Sequence, residues 1–168
     1  DVIMDEASKM NQMVKNLLTL NQLEFGDEDI VFDRFNLTAL VRGVLQSMEI
    51  MADQAGAKIL LHTEEDIYAW ADEFKVEQVV KNYVSNACHH VSGDMVIEVK
   101  MVQKDGKVRV SVFNTGTPIP EADIAHIWDK FYKVDKAHTR EYGGNGIGLS
   151  IVKAIMKSFH QEYGVKNY

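Results

Sequence analysis

Between residues 76 and 91 the chain sets Gln78, Asn82, Ser85, Asn86 and His89 along one flank of an apolar helical stripe made by Val76, Val79, Val80, Tyr83, Val84, Ala87 and Cys88. An exposed flank normally carries lysine and glutamate. Asparagine is a poor helix former, so two of them four residues apart suggest amides kept for coordination. A single amide oxygen suits Mg²⁺, a hard ion that takes few protein ligands and completes its shell with phosphate and water. A merely polar surface is the plainer reading of the same residues. Glycines at Gly144, Gly146 and Gly148 stand at the mouth of a last helix, where backbone amides and the positive end of the helix dipole favour phosphate. Ordinary tight turns use glycine too, and neither a Walker lysine nor a dinucleotide-binding strand–turn–helix context accompanies the run. Asn114 ends a hairpin strand beside Gly116. It could present its amide to a base edge while the glycine leaves room for the ring, or it could cap a turn.

Other chemistries find little support. His89 and His90 are adjacent and point about 100° apart on a helix, which suits no shared zinc ion. The lone Cys88 lies on the apolar side of its helix, there is no Gly-x-Ser-x-Gly element, and a single cysteine allows no internal disulfide. That cysteine usage fits a reducing compartment. The formal charge of −7 argues against nucleic acid as a partner. It is unevenly spread, −11 over residues 1–99 and +4 over 100–168, so a local anion site in the second part remains open beside the reading of solvated surface lysines.

These residues need a frame, and the apolar patterning supplies one. Ile3, Ala7, Met10, Val14 and Leu17 repeat at 4-3-4-3 spacing, predicting a first helix with a seam for a partner helix and a boundary near residue 28, after Gly26-Asp27-Glu28. Asn36 reads as the N-cap of one amphipathic helix running from Leu37 to Ala55 and stopped by Gly56. Strands are predicted at 58–62 and 67–71, then the helix around 76–91. Met95, Ile97, Val99 and Met101 alternate into a hairpin turned at Asp105-Gly106 and answered by Val108, Val110 and Val112. Ile124, Ile127, Trp128 and Phe131 predict a short helix, residues 132–142 a mobile flap, and Ile151, Ala154, Ile155 and Phe159 the inner face of the last helix. The expected fold is α+β: a two-layer sandwich of helices on one face of a mixed, mostly antiparallel sheet.

In their order these motifs resemble the ATP-binding catalytic domain of sensor histidine kinases, in the superfamily that includes gyrase. Val79 to Ala87 resembles the N box, Asn114-Thr115-Gly116-Thr117-Pro118 the first glycine box, Ile127 to Asp135 the F box and Gly144 to Leu149 the second glycine box. The resemblance implies a Bergerat-type ATP-binding fold over residues 28–168. Residues 1–27 would be the end of the second helix of a dimerisation hairpin, so the chain would be cut inside that hairpin, and Glu162 to Tyr168 would form one closing strand with a further strand missing.

For the site, the resemblance implies ATP and Mg²⁺ as cofactors. Asn86 would ligate the metal, Asn82 and His89 would lie by the phosphates, and His90 would flank the adenine. Phe131 and Tyr132 belong to the F box, Lys133 would reach the terminal phosphate, and Gly144, Gly146, Ile147, Gly148 and Leu149 would line the phosphate end. The flap would become an ATP lid. Hydrolases of the superfamily carry a glutamate at the position of Asn82. An amide cannot take a proton from water, so Asn82 and Lys133 would serve phosphoryl transfer rather than hydrolysis. Asn114 replaces the family's usual aspartate and Pro118 a usual glycine, stiffening that turn. None of the histidines at 62, 89, 90, 126, 138 and 160 begins the family's phosphoacceptor signature. The implied partners are therefore a histidine of the parent protein, a response regulator and a second parent copy. The domain would be cytoplasmic, anchored to the bacterial plasma membrane only through segments outside this chain. A conformational ATPase and a nucleotide-binding module without turnover are the alternatives.

Overall fold

The computed structural model describes residues 2–26, 29–134 and 146–168. The chain divides into two compact units, Ile30–Thr117 and a second one made of Asp1–Asp29 with Pro118–Tyr168.

In the first unit, strand β1 (Asp33–Asn36) leads into helices α2 (Leu37–Ser47) and α3 (Glu49–Ala55), followed by β2 (Lys58–His62), β3 (Tyr68–Ala71), α4 (Glu73–His90), β4 (Val96–Lys104) and β5 (Lys107–Asn114). β1 and β3 form an antiparallel ribbon. A second sheet has the order β2-β4-β5, with β2 parallel to β4 and β5 antiparallel to it. The architecture is α+β with a mixed set of pairings, two of the three antiparallel, as the patterning predicts. Ile97, Val99 and Met101 of β4 are buried against Val41, Val44, Val80 and Val84 of the helices, while Lys100 and Val102 face out. Each such aliphatic side chain contributes about 1.5–3 kcal/mol by leaving water, so a one-residue slip of β4 would forfeit several at once. Asp105 and Gly106 both have positive φ, +54° and +74°, giving the primed turn whose twist matches a two-residue hairpin.

Two local features differ from expectation. The helix from Leu37 is interrupted at Met48, whose φ of −101° and ψ of 4° separate α2 from α3. The Ser47 hydroxyl donates to the Val44 carbonyl at 2.7 Å and competes with the regular ladder there. Strand β1 carries no alternation of its own over four residues and is formed by pairing, Asp33 with Ala71 through Asn36 with Tyr68. Asn36 does cap α2, accepting from the Ala39 amide at 2.9 Å, and Gly56 closes α3 in the left-handed region at φ +76°.

The second unit holds α1 (Val2–Phe25), a short α5 (Glu121–Ile124) and α6 (Gly148–Ser158). α1 packs on α6 through Leu20, which is 1% exposed. Of the predicted seam, Leu17 turns inward together with Met13, Asn16, Leu20 and Leu23, while Ile3, Ala7, Met10 and Val14 lie exposed. Only Glu121–Ile124 is helical in the segment expected to run on through Phe131. Beyond it, the amides of His126, Asp129 and Tyr132 each bond the carbonyl three residues back, so the chain advances by tight turns, and Phe131 stands at φ +64°. Ile127 is buried and Trp128 meets Tyr163 edge-on at 4.9 Å. α6 buries Ile151, Val152 and Ile155, with Phe159 buried at its C-cap and Ala154 only half-buried. Residues 161–168 form no strand. Asn167 substitutes for strand pairing with its side chain, accepting from the Ile119 amide at 2.9 Å and donating to the Ile119 carbonyl at 2.8 Å.

Candidate functional site

α4 begins at Asp72, which is buried and uses both carboxylate oxygens: one accepts from the Lys75 amide at 3.2 Å, the other from the Val31 amide at 3.1 Å. This cap fixes the helix's rotation. Val79, Val80, Val84, Ala87 and Cys88 of the predicted stripe are buried and Val76 and Tyr83 only half-buried, while Asn82, Ser85, Asn86 and His89 are left on a half-buried flank and His90 is exposed. Burial pushes the Cys88 thiol above its ordinary range, making it a packing residue and a poor nucleophile.

Asn82 carries the sharpest anomaly of the unit: its Nδ2 is buried and has no hydrogen-bond partner among the described residues. An amide donor shut away from water without a partner costs about 1–3 kcal/mol, which is normally tolerated where a ligand or bound water completes it. Among the described residues no group of three or more His, Cys, Asp or Glu side chains converges. A metal ion here would therefore take few oxygens from the chain, and the single amide of Asn86 with phosphate and water is a donor set that Mg²⁺ accepts.

The end of β5 is tied to the end of α4 by Thr115. Its hydroxyl donates to the Ser92 carbonyl at 2.8 Å and accepts from the Val96 amide at 3.0 Å, while its carbonyl accepts from the Ser92 amide at 2.9 Å. Thr115 is a positioning residue that the sequence reading passed over; its only signal was its place between Asn114 and Gly116. Asn114 lies on the face of β5 shared by Val108, Val110 and Val112. Its amide nitrogen donates to the Thr115 carbonyl at 3.1 Å, which leaves the oxygen as the acceptor without a partner among the described residues. Gly116, at φ +150°, meets a different need from the one expected. A Cβ there would lie 2.8 Å from the His90 carbonyl oxygen and 3.0 Å from Ser92 Oγ, so the glycine lets the turn close on the end of α4.

The remaining predicted residues lie in the second unit. Phe131 and Gly146 are held together: the Phe131 amide donates to the Gly146 carbonyl at 2.9 Å, and a Cβ on Gly146, at φ +73°, would come within 2.8 Å of Phe131 Cα. Two of the predicted boxes thus meet at this contact, on either side of residues 135–145. Gly144 and most of the expected flap lie outside the described residues. Ile147 is fully buried, so its side chain belongs to the core. Gly148 and Leu149 open α6, whose first turn has no side-chain cap among the described residues, in contrast to α2 and α4. The Tyr132 hydroxyl donates to Asp123, and that bond, with partial desolvation and the charges of Asp123 and Asp129, raises its pKa. Lys133 is half-buried and has no carboxylate partner among the described residues.

A family profile described as histidine kinase-, DNA gyrase B- and HSP90-like ATPase matches residues 71–167, a span that contains all four boxes, and the chain belongs to that family. Over 161 residues the chain is 29% identical to the sensor histidine kinase WalK of Bacillus subtilis (strain 168), covering 94% of this chain and 26% of WalK. Over 168 residues it is 31% identical to YkoH, a sensor histidine kinase of the same organism, covering 99% of this chain and 36% of YkoH. The chain thus spans about a quarter to a third of these relatives. The nucleotide-free catalytic domain of histidine kinase ThkA superposes with a TM-score of 0.65 at 32% identity, over 76% of this chain and 81% of that one. ThkA in complex with the response regulator TrrA gives 0.66 at 30% identity, over 79% of this chain and 39% of that one. No helix among the described residues is long and apolar enough to cross a membrane.

Proposed function

We propose that this chain is the ATP-binding catalytic part of a sensor histidine kinase, moving the γ-phosphoryl group of ATP to a histidine on the dimerisation helices of a longer parent, for relay to a response regulator. The observation that carries the proposal is the buried Nδ2 of Asn82, unpartnered among the described residues and on the same flank as Asn86. In this reading Asn86 offers its oxygen to Mg²⁺ and Asn82 donates to a phosphate oxygen. Asn114 accepts from the adenine amino group, with His89 and His90 completing the α4 edge. Lys133 and the backbone from Gly146 into the start of α6 at Gly148 and Leu149 neutralise the terminal phosphate, with Phe131 and Tyr132 shaping the segment before them. Bound Mg²⁺ would supply charge neutralisation across the phosphates. The bond from the γ-phosphorus to the ADP oxygen breaks as a bond to the acceptor imidazole nitrogen forms. That nitrogen attacks with its own lone pair, so an amide at Asn82, which can position but not deprotonate, is sufficient.

Residues 1–27 are assigned to the end of the second dimerisation helix and 28–168 to the catalytic domain. The parent would be a homodimer anchored in the plasma membrane with this part in the cytoplasm. The relatives' description as sensor histidine kinases and the ThkA–TrrA complex support the kinase and response-regulator parts of this reading. Titration with a fluorescent ATP analogue, with and without Mg²⁺, tests the first half: binding should need Mg²⁺ and weaken about tenfold or more in Asn86→Ala. An unchanged titration removes Asn86 from the site. Incubating the parent protein with γ-labelled ATP tests the second half, and an acid-labile, base-stable label on histidine is the expected product.

A further inference from the structure

The β1–β3 ribbon has one face against the core, with Phe35, Ala69 and Ala71, and an outer face on which Arg34 stands opposite Trp70. The Arg34 guanidinium lies 4.1 Å from the centre of the Tyr68 ring, so the charge is held flat against an aromatic. Trp70 is 69% exposed. Val31, bonded through its amide to Asp72, is 68% exposed, and Phe74, in the first turn of α4, is 81% exposed. Nothing in the nucleotide reading uses these residues. Tryptophan, tyrosine and arginine are also the side chains that dominate binding energy at protein interfaces. Around them the chain is acidic: residues 64–77 hold six carboxylates and one lysine, with Glu64, Glu65 and Asp66 at one end of β3 and Glu73 past the other, all exposed.

We infer that this face is a docking surface for a basic polypeptide segment, one that places an apolar side chain against Trp70 and Tyr68 and its lysines or arginines against Glu64–Asp66 and Glu73. The charge selects among occupants. A second copy meeting the same face would set the exposed carboxylates Glu64, Glu65, Asp66 and Glu73 against their own counterparts, and an anionic bilayer would be repelled. The Arg34 amide is taken by Asp33 Oδ1 at 2.7 Å, which withholds it from an added strand and directs docking to the face.

The test is fluorescence anisotropy with a labelled peptide of alternating lysine and leucine, against its glutamate–leucine counterpart, on the full chain and on Trp70→Ala. The expected result is salt-sensitive binding of the lysine peptide, at least about tenfold weaker for the glutamate peptide and weakened about tenfold by Trp70→Ala. The unfolding midpoint and binding of the ATP analogue should be unchanged in that variant. Lysine-peptide binding that survives Trp70→Ala would be bulk charge attraction and overturns the inference. So would Trp70-dependent sedimentation with lipid vesicles, or a dimer of the chain dispersed by Trp70→Ala. Loss of ATP-analogue binding in every form of the chain would sink the nucleotide reading and leave this one standing.

Discussion

Replacing Asn82 by leucine should make the unliganded protein more stable while abolishing most of the stabilisation by nucleotide. Asn82 Nδ2 is buried with no partner among the described residues, and such a donor costs about 1–3 kcal/mol. Leucine has nearly the same bulk and no donor, so Asn82→Leu should recover about 1 kcal/mol, or ~2–4 °C in melting temperature for a chain of this size. A hydrogen bond to an ionised phosphate contributes about 1.5–3 kcal/mol, so ATP affinity should fall about 10- to 100-fold. At a nucleotide concentration about 100 times the original Kd, the parent sequence gains about 2.7 kcal/mol from the ligand. A variant binding 100-fold more weakly gains only about 0.4 kcal/mol under the same conditions. Thermal melts with and without Mg²⁺·ATP read both effects in one experiment: the unliganded curve moves up and the liganded shift collapses. If Asn82→Leu lowers the unliganded midpoint and keeps the full nucleotide shift, the amide is a structural group and the reasoning fails.

Gly116→Ala should destabilise the chain by about 2 kcal/mol or more in urea melts, because the new Cβ would meet the His90 carbonyl oxygen at 2.8 Å, a backbone atom that cannot step aside. Thr115→Val keeps the shape but removes the link between the Ser92 carbonyl and the Val96 amide, for an expected loss of about 1–3 kcal/mol by the same measurement. Lys130→Ala breaks the 2.7 Å ion pair with Glu24, yet both side chains are well exposed, so the change in stability should stay below about 1 kcal/mol and shrink with salt. Cys88 should react with a disulfide reagent far more slowly than a free thiol until denaturant is added. Burial raises its pKa in the fold, so the protein keeps the full contribution of the neutral thiol below the ordinary thiol value and loses it as pH rises through the raised one; alkaline melts of Cys88→Ala should lack that part of the decline.

The sequence by itself determined the elements whose signals are local. Period-2 alternation set β4 and β5, the Asp105-Gly106 pair turned the hairpin, Asn36 and Gly56 marked helix ends, and the stripe from Val76 to Cys88 set which flank of α4 would carry its amides. Each depends on neighbours a few residues apart, which one chain displays. The tertiary structure decided what depends on distant partners. Strand β1 exists because β3 pairs with it, the helix after Asn36 breaks at Met48, and α1 buries Leu20, a residue off its predicted seam. Residues 161–168 use the Asn167 side chain where a strand was expected. At the candidate site, the residue types of Asn82 and Gly116 were legible in sequence and the physical demands on them were not. An amide unpaired among the described residues and a carbonyl 2.8 Å from an absent Cβ are facts about atoms brought together only by folding.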